Sequence, residues 1–328
     1  MHTHDIIVVG ASAGGVEALM AFVAGLSPDF PGAVFVVLHI PANSPSQLAA
    51  ILARAGPLPA KQAEDREAIQ GGWIYTAPPD RHLLLTPDLI RLAAGPRENR
   101  SRPAVDPLFR TAALAFGPRV VGIVLSGALN DGTAGLLAIQ RSGGVTLVQD
   151  PATALFPSMP ASARTYVPID GCLSIPELAT RVNGLAHTPI LPAPEVIPMR
   201  EDLEFEAQVA GLDPTVLSQE QRPGVLTALT CPECRGPLWE IHDGALVRFR
   251  CRVGHAYTAE TMVDEQAASV EDTLWMAFNS LTERAQLLGQ LAVMVLPHQP
   301  AQAQVYQHQA AALHAQAIQI RQMLLPAP

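Results

Sequence analysis

Ser12 stands in Gly10-Ala11-Ser12-Ala13-Gly14, directly after the apolar run Ile6-Ile7-Val8-Val9, and a serine framed by glycines at the end of such a run has the form of a nucleophile elbow. A sharp strand-to-helix turn lifts the hydroxyl above the carboxyl edge of a sheet. It also points the first amides of the next helix at the same spot, where they can stabilise charge on a reacting carbonyl oxygen. Two further strand ends carry matching groups. His39 closes Val34-Phe35-Val36-Val37-Leu38, and Asp131 lies in Ser126-Gly127-Ala128-Leu129-Asn130-Asp131-Gly132 after another apolar run. A serine hydroxyl is a weak nucleophile until an imidazole removes its proton, and a carboxylate orients that imidazole and stabilises its cation. The expectation is a Ser12–His39–Asp131 hydrolase.

Each residue also has a plainer reading. Gly10-x-Ser12-x-x-Gly15 is one residue away from the G-x-G-x-x-G dinucleotide fingerprint. Against it, Ser12 replaces the glycine that admits a pyrophosphate, and His39 stands where a ribose-binding acid would be. His39 could instead close a core edge, and Asp131-Gly132 could form a turn or cap a helix from Thr133. His82 and Asp106 are rival triad members, ranked lower because neither directly ends a central strand.

The elements that must bring these residues together are legible between residues 5 and 185. Helices are expected near 14–26, 45–55, 105–117 and 133–141, alternating with strands that end at His39, at 120–125 and at 145–148. Residues 72–77, 82–85 and 89–92 read as extended, with Thr86-Pro87-Asp88 as a hairpin turn. The fold class is therefore α/β: a doubly wound, mainly parallel sheet with an antiparallel hairpin inserted at its margin, and ligands at the carboxyl edge. Low aromatic content, 5 % beside 48 % apolar residues, suits an Ala/Val/Leu core of this kind.

A net charge of −9 argues against nucleic acid as the partner. No run approaches the roughly 20 apolar residues of a membrane span, and no basic leader precedes the first strand, so a cytoplasmic protein without membrane insertion is expected.

Six ordered stretches give a more specific reading. Gly10-Ala11-Ser12-Ala13-Gly14-Gly15, His39-Ile40-Pro41, Ala77-Pro78-Pro79-Asp80-Arg81-His82, Arg102-Pro103-Ala104-Val105-Asp106, residues 126–132 and Gln149-Asp150-Pro151-Ala152-Thr153 resemble the catalytic domain of the chemotaxis protein-glutamate methylesterases of the CheB type. The resemblance covers about residues 4–180. It implies hydrolysis of glutamyl methyl esters on the cytoplasmic helices of methyl-accepting chemoreceptors, and deamidation of particular glutamines, with no catalytic cofactor. It makes Ser12 the nucleophile, His39 the general base and Asp131 its orienting acid, with oxyanion amides at Ala128 and Ala13. Two residues depart from the family pattern: Ala13 replaces a threonine and Ala128 a methionine. The family's chemotaxis enzymes carry a phosphorylatable receiver domain before the esterase, whereas this sequence opens on the first esterase strand. Constitutive activity, or control by the C-terminal region or a separate protein, is the expectation. Arg97, Arg100 and Arg102 could hold an acidic receptor helix by charge; a solvated loop is their plainer reading.

Four segments are expected: the esterase at 1–185, a Pro-rich linker with one short helix at 186–225, a small module at 226–258, and a helical region at 259–328. In the module, Cys231-x2-Cys234-x16-Cys251-x3-His255 has zinc-ribbon spacing, with Asp243-Gly244 turning a hairpin between the ligand pairs. His242 could replace His255, and an unmetallated hairpin with reduced thiols is the alternative. Cys172 is expected to be a buried small apolar residue. Helices at 259–295 and 300–324, broken around Pro297 and Pro300, read as a helical hairpin that could also meet a signalling partner. A non-catalytic signalling scaffold on the esterase fold is the main alternative function, and a nucleotide-binding protein the third.

Overall fold

The computed structural model describes residues 2–190, 200–217, 219 and 221–325, so prolines 192, 194 and 198 of the expected linker lie outside the described residues. Contacts divide the chain into two compact units, one up to Thr261 and one from Met262 onward. The first unit opens with β1 (Ile6–Ala11), α1 (Gly15–Ala24), β2 (Ala33–Leu38), α2 (Leu48–Ala55), β3 (Ala60–Gln62), β4 (Ile74–Thr76), β5 (His82–Leu85) and β6 (Ile90–Ala93). It continues with α3 (Val105–Phe116), β7 (Val120–Val124), α4 (Thr133–Arg141), β8 (Val145–Gln149), α5 (Ser158–Tyr166), β9 (Gly171–Leu173) and α6 (Ile175–Leu185). After the undescribed stretch come α7 (Arg200–Ala210), α8 (Pro214–Leu217), β10 (Val225–Thr230), β11 (Pro237–Asp243), β12 (Leu246–Cys251) and β13 (Ala256–Thr258). The last helices are α9 (Ala259–Val295) and α10 (Pro300–Leu324).

Among the described residues the strands form a seven-stranded sheet ordered β3-β4-β2-β1-β7-β8-β9, a four-stranded sheet β10-β11-β12-β13 and the β5–β6 ladder. Every pair in the large sheet is parallel. Its central strands are buried on both faces, which is why they read as unbroken apolar runs. Alternation still divides them: Ile7, Val9, Val34, Val36, Val121 and Ile123 pack with Leu19, Phe22 and Val182 of α1 and α6. Val8, Phe35, Val37 and Val124 pack on the other face with Leu108 and Phe109 of α3 and Met159 of α5. The β5–β6 ladder does not extend the sheet margin. Leu83, Leu85 and Ile90 join the α3 side of the core, and the Leu85 amide donates to Thr111 Oγ1 at 3.1 Å.

The chain leaves β1 toward β2 on one side and later returns to β7 on the other. The switch in winding direction therefore falls between β1 and β7, where open α/β sheets place their ligands. Cys172 is exposed on the edge strand β9, contrary to expectation, because an edge strand of three residues leaves side chains outside the core. In the second unit, Thr282, Ala285 and Gln286 of α9 face Ala310, Ala311 and His314 of α10 across the turn, as in a helical hairpin. No helix among the described residues is long and apolar enough to cross a membrane.

Candidate active site

Ser12 sits in the turn from β1 to α1. Its amide donates to the Ser126 carbonyl at 3.0 Å, and its own carbonyl accepts from Gly15 N–H at 2.9 Å. The two glycines have separate physical reasons. Gly14 caps α1 at φ 67°, a left-handed conformation that favours glycine, and a Cβ on Gly10 would lie 2.3 Å from Cγ1 of Val105 on α3. The turn is braced from β7 and β8: Ser126 Oγ donates to the Ala13 carbonyl at 2.9 Å and accepts from Phe156 N–H, while the Ser126 amide donates to Gln149 Oε1 at 2.9 Å.

His39 follows β2, the strand beside β1. Its Nδ1 lies 3.1 Å from Ser12 Oγ and its Nε2 lies 2.7 Å from Asp131 Oδ2. With the serine hydroxyl donating to Nδ1, the ring proton is on Nε2 and is donated to the carboxylate. Asp131 is 1 % exposed, and His39 retains 16 % side-chain exposure, so the acid is enclosed while the imidazole is reachable.

Asp131 owes its position to the start of α3. It accepts the amides of Val105 at 2.6 Å and Asp106 at 3.2 Å, the first two residues of that helix, and also that of Gly132 at 3.0 Å. Asn99 Nδ2 donates to Asp131 Oδ1 at 3.2 Å and to Asp106 Oδ2 at 3.1 Å. Burial alone would raise the Asp131 pKa, but His39 and these donors outweigh it and hold the carboxyl at about 2. Asp106 moves the other way. Burial, and then the neighbouring Asp131 charge, push it up to about 8.

The rival His82 lies apart from this row. It is buried, donates Nε2–H to the Pro96 carbonyl at 2.9 Å and accepts from the Ala104 amide, and burial lowers its pKa. Its place is to brace the 96–104 loop. Arg97 and Arg100 are exposed on that loop, whereas Arg102 is engaged: Nη2 and Nε donate to Asp80 Oδ1 at 2.6 and 2.8 Å, and Nη1 donates to the Gly95 carbonyl at 2.7 Å. Ala128 is exposed beside Leu129, which has φ 64°. The sequence hardly marks Asn99. Its only signal was being an asparagine before a motif, in a turn where it and Arg100 adopt φ 47° and 71°.

Away from this row, Cys231, Cys234, Cys251 and His255 bring three sulfurs and one ring nitrogen within 4.8 Å of one another. The Cys234–Cys251 and Cys251–His255 separations are 3.6 Å and Cys231–His255 is 3.7 Å, close to the ~3.8 Å edge of a tetrahedron with arms of ~2.3 Å. His255 uses Nδ1 toward the sulfurs, and Nε2 lies 3.3 Å from Glu233 Oε2, the carboxylate partner that orients a ligating imidazole. His242 points elsewhere, pairing with Glu240 at 2.6 Å. The donor set suits a soft or borderline metal ion, and among the described residues all four cysteines are free.

Comparison with known proteins matches residues 7–182 to the CheB methylesterase family model. A Leptospira interrogans protein is 38 % identical over 177 residues, 54 % of this chain and 92 % of that protein. A protein-glutamate methylesterase/protein-glutamine glutaminase of Anaeromyxobacter dehalogenans is 38 % identical over 183 residues, 56 % of this chain and 54 % of that one. The crystal structure of the Thermotoga maritima CheB methylesterase catalytic domain superposes with a TM-score of 0.54 at 30 % identity, covering 56 % of this chain and 99 % of that domain. The family model spans β1 to α6; α7 and everything after it lie outside.

Proposed function

The chain belongs to the CheB methylesterase family, and on that premise we propose that it hydrolyses glutamyl methyl esters on receptor-like proteins through Ser12, His39 and Asp131. The observation that carries this reading is the unbroken row of hydrogen bonds from Ser12 Oγ through both ring nitrogens of His39 to the buried Asp131. Ser12 attacks the ester carbonyl as His39 Nδ1 takes its proton, and the Nε2–H bond to Asp131 stabilises the imidazolium. The amides of Ala13 and Ala128 are the candidate donors to the oxyanion. His39 then protonates the departing methoxide, leaving a glutamyl ester on Ser12 and free methanol. Water deprotonated by the same nitrogen releases the glutamate. A glutamine amide gives the same acyl-enzyme with ammonia as leaving group, so deamidation needs no additional residue.

Arg97 and Arg100, exposed on the loop that carries Asn99, supply positive charge for an acidic receptor helix. Arg102 serves that loop from behind through Asp80. Cys231, Cys234, Cys251 and His255 hold a structural zinc ion, whose fit rests on the tetrahedral spacing and on Glu233 behind the imidazole. The esterase, the α7 segment and the metal module act together in the first unit of one cytoplasmic protein, with α9 and α10 available to a signalling partner.

The deciding assay is methanol release from methyl-esterified receptor cytoplasmic domain. The wild type should release methanol and Ser12→Ala should not. A folded wild type with no release above background would favour the scaffold reading instead.

A further inference from the structure

The metal cluster and the Ser12 row are joined by a short path through the backbone. Cys251 and His255 close one knuckle, with the Cys251 amide donating to the His255 carbonyl at 2.9 Å. The next residue, Ala256, begins β13 and pairs with the 97–99 segment: Asn99 N–H donates to the Ala256 carbonyl at 2.9 Å, and Ala256 N–H to the Arg97 carbonyl at 3.3 Å. Two residues on, the Thr258 amide donates to Asn99 Oδ1 at 3.1 Å. That bond fixes the amide orientation, so Asn99 Nδ2 faces Asp131 and Asp106.

A second tether runs beside it. Arg250, adjacent to Cys251, donates to the Gly254 carbonyl inside the knuckle at 2.8 Å and to buried Glu98 at 3.1 Å. Both tethers grip a turn in which Asn99 and Arg100 hold left-handed conformations, a state that persists only where surroundings enforce it.

We propose that the Cys231/Cys234/Cys251/His255 centre is a switch on the esterase: metal bound there fixes β13 against Asn99, and Asn99 acts as a positioning residue that holds Asp131 in line with His39. This rests on the zinc and esterase readings above. Without metal the knuckle has too little core to keep its shape. The 97–99 turn then relaxes, Asp131 loses a donor and an anchor, and the His39 ring loses its fixed partner. Removal of the metal by a chelator thus slows the chemistry at a distance without touching Ser12 or His39.

The test uses the full chain with two readouts: the low-field proton resonance of the His39–Asp131 hydrogen bond, and the rate at which a fluorophosphonate labels Ser12. The zinc-loaded wild type should show the resonance. Chelator-stripped wild type, Cys234→Ser and Asn99→Ala should each lose it to exchange and label about tenfold more slowly, the range seen when a supporting hydrogen bond is removed. The Cys234→Ser/Asn99→Ala double variant should be no slower than Asn99→Ala alone, because the metal acts through the Asn99 side chain. Metal-free Cys234→Ser with an unchanged resonance and labelling rate would overturn the proposal, as would a double variant in which the two losses multiply. The failures are separable. A wild type holding less than about half an equivalent of zinc removes the metal reading and the switch with it. A chain that shows the metal-dependent resonance yet releases no methanol keeps the switch and removes only the esterase reading.

Discussion

His39 presents Nδ1 to Ser12 and Nε2 to Asp131, so in the proposed mechanism the acid would both select the tautomer and stabilise the imidazolium formed on taking the serine proton. Asp131→Asn presents an amide that can donate where only acceptance fits, and methanol release should fall by on the order of 10³ to 10⁴. Steady-state kinetics on the same receptor substrate would register it. The paired carboxylates also shape stability. Asp131, held at about 2 against an ordinary 3.8, contributes stability that is present above about pH 4 and is lost as pH falls through 2. Asp106 has the opposite sign: raised to about 8, it keeps its proton in the folded chain where the unfolded chain has released it, so stability declines as pH rises from about 4 toward 8. Guanidinium midpoints at about pH 5 and 8 should therefore differ in the wild type and differ less in Asp106→Ser, which has nothing to ionise there.

The elements carrying the site were legible because each ends in chemistry. β1, β2 and β7 are apolar runs bounded by Ser12, by His39 and by residues 126–131, and the helices at 105–116 and 133–141 begin close to where periodicity puts them. Strands β3 and β9, three residues each, are too short to show a period, and β10 and β13 pair with partners that no local pattern names. The expected linker contains α7, whose Glu206 is buried among Arg110 of α3 and Arg248 and Arg250 of β12. Glu98 joins the same cluster through Arg110 and Arg250. These charges are far apart in sequence and read singly as solvent-facing; only tertiary contact pairs them. Burial opposes ionisation of Glu206, but the three arginines outweigh it and lower its pKa. Glu206→Ala would leave three buried guanidinium groups short of a counter-charge and should destabilise the fold by about 3–5 kcal/mol, read from denaturant midpoints. Asn99 is illegible for the same reason, since its bond to the Thr258 amide exists only once β13 lies beside it.

At the scale of the whole chain, the family model accounts for residues 7–182, and the module beyond it is attached at the 97–99 turn and the Glu98–Glu206 cluster. A metal that orders so small a sheet should raise its thermal stability. Chelation should lower the midpoint of the first unit's unfolding, and zinc should restore it, as calorimetry would show. The central claim is that Ser12 is a nucleophile activated by its neighbours, and covalent trapping tests it most directly. After exposure of the full chain to a fluorophosphonate, peptide mass spectrometry should find the adduct on Ser12, and labelling should be lost in His39→Gln. Failure of Ser12 to label, or equal labelling with and without His39, would contradict the account.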